Sequence, residues 1–151
     1  MTKSLFLIAA AGALGLASPA SFAHSDGVPD AQKSPNGGQM RMAGAYHYEL
    51  VVSRHSKEIK ENPVIVYVTD HAGAKVPTRN ASGTATILAG KNKATANLTA
   101  DGDNRLKGFA RYSSSPDMKV VVSIAFQGKS AEQARFTPLT AAREERTDHK
   151  H

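Results

Sequence analysis

Tyr46-His47-Tyr48-Glu49-Leu50-Val51-Val52 sets the fold class. Side chains along a strand alternate between two faces with a period of two residues. Tyr46, Tyr48, Leu50 and Val52 therefore share one apolar face, and His47, Glu49 and Val51 share the other. A helix would scatter the same residues around its axis. The stretch reads as a half-buried strand with its even-numbered residues inward.

Working outward, the pattern recurs. Val64 to Thr69 follows the polar stretch Ser53 to Pro63 and ends at the turn Asp70-His71-Ala72-Gly73. Gly83 to Leu88 is a further strand, and Gly90-Lys91-Asn92 turns the chain into Lys93 to Thr99. Asp101-Gly102-Asp103-Asn104 separates that strand from Arg105 to Tyr112. Met118 to Phe126 is the most apolar run and reads as a central strand, and Gly128-Lys129 leads to Gln133 to Thr137. Gln39 to Met42 adds a short strand at an edge. Short β-prone runs at about ten-residue spacing, divided by Gly, Asn and Asp, predict an all-β domain. Seven to eight strands in residues 39–139 predict an immunoglobulin-like two-layer antiparallel β-sandwich.

The flanks differ in character. Lys3, the apolar run Leu5 to Leu16, Pro19 and Ser21-Phe22-Ala23 have the form of a cleavable export signal. The run is too short for a membrane span, which needs about 20 residues. Residues 1–23 are thus expected to be a signal peptide, with the mature chain starting at His24 in the periplasm. Residues 24–38 are rich in Gly, Pro, Ser and Asp and read as a flexible leader. Residues 140–151 form a charged polar tail that carries His149 and His151.

Composition excludes several functions. The chain has no cysteine, so disulfides, thiolate catalysis and thiolate metal sites are all absent. The net charge of +6 is modest and its basic residues are dispersed. No basic-aromatic stripe suits nucleic acid, and none is expected as a partner. Gly128-Lys129-Ser130 resembles the end of a phosphate-binding loop, but Ser123 stands where its first glycine belongs. No catalytic constellation emerges, and the chain reads as a non-enzyme.

Metal ligation is the chemistry the remaining residues allow. An N-terminal His24 offers its amine and ring nitrogen as a chelate suited to Cu(II). Met40-Arg41-Met42 puts two thioethers on one face of an extended segment, about 7 Å apart. Thioether with imidazole selects Cu(I) over harder ions, and His47 lies nearby. The alternative is that both methionines fill gaps in the core. His47 falls on the solvent face, where a plain surface role is the default. His71 follows Asp70, which either ligates with it or closes an Asx-turn. The candidate metal ligands are His24, Met40, Met42, His47 and His71, with copper or zinc as the ion.

The stretches Pro35-Asn36-Gly37-Gly38-Gln39, Tyr46-His47-Tyr48-Glu49-Leu50-Val51 and Val66-Tyr67-Val68-Thr69-Asp70-His71-Ala72-Gly73 resemble a group of small exported proteins associated with heavy-metal efflux. A similar module occurs in periplasmic adaptor subunits of cobalt–zinc–cadmium and copper efflux pumps. Asp103-Asn104-Arg105-Leu106, Lys119 to Ile124 and Ala134-Arg135-Phe136 extend the likeness over about residues 35–137. That group often has a His-rich leader and His-Gly-Gly where this chain has Asn36-Gly37-Gly38. The resemblance implies a β-sandwich and a periplasmic role in metal homeostasis, with an efflux component as partner. The other expectation is a non-catalytic envelope interaction module that docks through the open edge at Gln39 to Met42.

Overall fold

The computed structural model describes residues 34–140. The expected signal peptide, His24 and the tail with His149 and His151 lie outside the described residues. Eight strands follow in order: β1 (Gln39–Ala43), β2 (Tyr46–Val52), β3 (Lys60–Asp70), β4 (Ala81–Ala89), β5 (Asn92–Ala100), β6 (Arg105–Tyr112), β7 (Lys119–Phe126) and β8 (Glu132–Phe136). Among the described residues no helix is long and apolar enough to cross a membrane.

All pairings are antiparallel, and the strands form one sheet in the order β1-β2-β3-β6-β5-β4-β7-β8. An immunoglobulin-like sandwich would divide them between two sheets. Here the hydrogen bonding is continuous, and the sheet curls until it is nearly a barrel. Its two ends meet through side chains. The Thr137 amide donates to Gln39 Oε1 at 2.8 Å. The rings of Tyr46 on β2 and Phe126 on β7 pack with centroids 4.7 Å apart. Aromatic pairs of this kind are worth about 0.5–1.5 kcal/mol beyond the area they bury.

The even-numbered residues of β2 and β3 face the interior. Tyr48, Leu50, Val64, Val66 and Val68 are fully buried, as are Ile87, Leu98, Leu106, Val122 and Ile124 from the other half of the sheet. Each such aliphatic side chain contributes about 1.5–3 kcal/mol relative to exposure. β7 is flanked by the last strand rather than lying centrally, and Val121 and Ala125 on its outer face are half-covered.

β3 begins at Lys60, four residues before the apolar run. The buried Asn62 amide explains how this polar start is held, since it donates to Ser56 Oγ at 2.9 Å and to the Tyr112 carbonyl at 2.8 Å. Pro63 pairs with Phe109 on β6. β2 pairs with β3 only as far as Val52 with Val64, so Pro63 needs no donor on that side. The Tyr112 hydroxyl closes the same corner, donating to the Pro63 carbonyl at 2.6 Å and accepting from the Ser53 amide at 3.1 Å.

The curl needs small residues where backbones approach. A Cβ on Gly108 would collide with the Asn97 carbonyl, and one on Gly83 with the Ser123 carbonyl. Glycines at such points let a sheet bend sharply. Gly108→Ala should therefore destabilise the fold by about 1–3 kcal/mol. Urea unfolding checks this as a lowered midpoint at unchanged slope. A midpoint equal to the parent's would contradict the close approach.

Candidate metal centre

Two strand registers and one turn build the site. In the β1–β2 hairpin Met42 lies directly opposite His47, and across β2–β3 His47 lies opposite Thr69. Cβ atoms of such pairs stand about 4.5–5.5 Å apart. The inward direction of Tyr48 and Val68 fixes Met42, His47 and Thr69 on the outer face. Gly44, at φ 56°, opens the two-residue hairpin between Ala43 and Tyr46.

His71 arrives from the turn that ends β3. The Gly73 amide donates to the Asp70 carbonyl at 3.0 Å. Asp70 Oδ1 accepts from the amides of Ala72 at 2.9 Å and Ala74 at 2.8 Å. Asp70 thus forms the Asx-turn that was one of its two readings. The turn lays His71 over the hairpin, with Nε2 3.1 Å from the Gly44 carbonyl oxygen. The His47 and His71 rings then lie with centroids 4.8 Å apart, tilted by 57°.

The sequence-predicted residues separate into three groups. Met42 stands opposite His47 on the outer face, and the His71 ring packs beside the His47 ring. Met42 is 52% exposed, which removes the core-filling alternative for it. Met40 is half-buried one step along, opposite Glu49. It lines a cleft of about 210 Å³ with Asn36, Glu49, Tyr67, Thr69 and Lys75. His24 lies outside the described residues. Among the described residues no group of three or more His, Cys, Asp and Glu is placed to hold an ion. The side chain opposite His47, Met42, carries a thioether.

Glu49 was not anticipated from the sequence, where it reads as an exposed residue. It is only 3% exposed. Its carboxylate accepts from the Asn36 amide at 2.8 Å, Asn36 Nδ2 at 2.9 Å and the Gly38 amide at 3.0 Å. Arg54 Nη2 adds a bond to the Gly37 carbonyl at 2.6 Å. These bonds hold the Asn36-Gly37-Gly38 turn against β2 and align the start of β1. Gly38 is required there, because a Cβ would run into the Leu50 carbonyl. The only sequence signal for this clamp is one acid on the outer face of a strand that follows an Asn-Gly-Gly turn.

Electrostatics favour a neutral His47. Burial lowers its pKa from the ordinary 6.5, and the neighbouring His71 lowers it further, with Asp70 opposing. Neutral imidazole is the form that ligates metal. No family model, curated protein or solved structure matches the chain.

The lowered pKa has a definite sign for stability. The unfolded chain binds this proton more readily, so the fold gains stability as pH rises. The contribution fades as pH falls from the ordinary 6.5 through the lowered folded value. An NMR titration of the metal-free protein should place the His47 midpoint below 6.5. His71→Ala should move it upward but not fully back, because burial is the larger cause. A wild-type midpoint at or above 6.5, or one unmoved in the variant, would refute this assignment.

Proposed function

We propose that the protein is a periplasmic accessory factor of heavy-metal homeostasis that binds copper or zinc and delivers it to an efflux system. The observation that carries this reading is the approach of the His47 and His71 rings to 4.8 Å, with Met42 opposite His47 on the same face. Two imidazole rings lie close together, with a thioether-bearing residue at the cross-strand position opposite one of them. An exposed site suits exchange with a partner better than permanent storage. The export-type sequence of residues 1–23 agrees with a periplasmic role. Met40 and His24 belong to the same proposal as auxiliary ligands, Met40 from the neighbouring cleft and His24 through its amine.

The alternative, an envelope docking module acting through the edge at Gln39 to Met42, has less support. The end of β8 lies beside that edge, where Thr137 donates to Gln39. Titration of the exported protein with Cu(I), Cu(II) and Zn(II), followed by NMR, tests the reading. Shifts at Met42, His47 and His71 that saturate at one ion per chain are expected. His47→Ala should weaken binding at least about tenfold, since even residues that merely support a ligand are worth that much. Absence of any shift at these residues at micromolar metal would end the proposal.

A further inference from the structure

Resting on the metal-binding reading above, we infer that the Met42–His47–His71 cluster selects a soft monovalent ion, Cu(I) or Ag(I), over Zn(II), and that His71 ligates through Nδ1. Two independent features of the geometry lead there. The first is the donor set. Two imidazoles and one thioether carry no charge, and a thioether favours soft ions over zinc.

Two carboxylates near the cluster, those of Asp70 and Glu49, accept hydrogen bonds from neighbouring amides, and a third, Glu132, lies against Gly44. Asp70 is drawn back onto its own turn by two bonds from Ala72 and Ala74 to Oδ1. Glu49, two residues from His47 on the same face, spends its oxygens on Asn36 and Gly38. The three donors themselves bring no charge to offset that of a divalent ion. A monovalent soft ion is content with few neutral donors.

The second feature is the contact between His71 and the hairpin. A carbonyl oxygen can only accept, so the 3.1 Å contact with the Gly44 carbonyl requires the proton on His71 Nε2. In the neutral ring the lone pair is then on Nδ1. Bonds of this kind to the distal nitrogen orient a ligating histidine and raise its basicity. The hairpin thus acts on the site twice, placing Met42 by register and His71 by its turn carbonyl.

The test uses silver nitrate as a redox-inert soft probe and a zinc salt, in chloride-free buffer, with the exported protein. Ring-nitrogen NMR should show His71 protonated at Nε2 with and without silver. Silver should shift the Met42 methyl group, both histidine rings and the Nδ1 signal of His71. Affinity for silver should exceed that for zinc by about 100-fold or more. Met42→Leu should remove most of that preference by weakening silver binding. Asp70→Asn keeps an oxygen for the turn bonds and should leave silver affinity intact.

Zinc binding as tightly as silver at these residues would overturn the selectivity while sparing the metal-site reading. So would loss of silver binding in Asp70→Asn, or a His71 protonated at Nδ1. If neither ion perturbs the three residues, the selectivity and the metal-site reading both fall.

Discussion

The pairing of β2 between β1 and β3 is the constraint on which the rest of the structure depends. Its alternation sends Tyr48 and Leu50 into the core and His47 and Glu49 outward. A slip of one residue would turn the histidine and the acid into the apolar core and the tyrosine and leucine out of it. Losing the burial of Tyr48 and Leu50 alone would cost several kcal/mol, about 1.5–3 for each apolar side chain. The register is therefore strongly specified, and the outward positions of Met42 and His47 follow from it. The Glu49 clamp strengthens the same register from outside by fixing the residues that lead into β1.

Much of this was legible in the residues. The bounds of β2 and β6 follow directly from alternation bounded by turns, and all eight strands were expected. β3 extends further than its apolar run because Lys60-Glu61-Asn62-Pro63 has no alternation to read. That segment is held by the Asn62 amide and the Tyr112 hydroxyl, which are tertiary contacts. The number of sheets was not legible for a different reason. Alternation says which face is inside, and it is silent on whether the sheet divides or curls. The hint lay in small residues: Gly83 and Gly108 stand where strands approach closely, and Ala85, Ala89 and Ala96 line the interior.

The candidate site divides along the same line. Met42 and His47 share a face by counting alone. His71 joins them only because Asp70 closes its own turn and Gly44 presents a carbonyl to the ring. Neither event has a period that a sequence can display. Glu49 shows the converse, a charged residue expected outside that is covered by the Asn36-Gly37-Gly38 turn folding back over it. The functional proposal thus combines one feature dictated by alternation with one dictated by turn chemistry. Only the second distinguishes a cluster of ligands from a scatter of surface residues.

The account's central claim is that the metal-free fold itself brings Met42, His47 and His71 together. Nuclear Overhauser contacts in the protein without metal test it most directly. The account predicts cross-strand contacts between Met42 and His47, together with contacts between the His47 and His71 ring protons. Contacts from Met42 to Tyr46 or Tyr48 as its opposite residue, or histidine rings that never meet without metal, would contradict it.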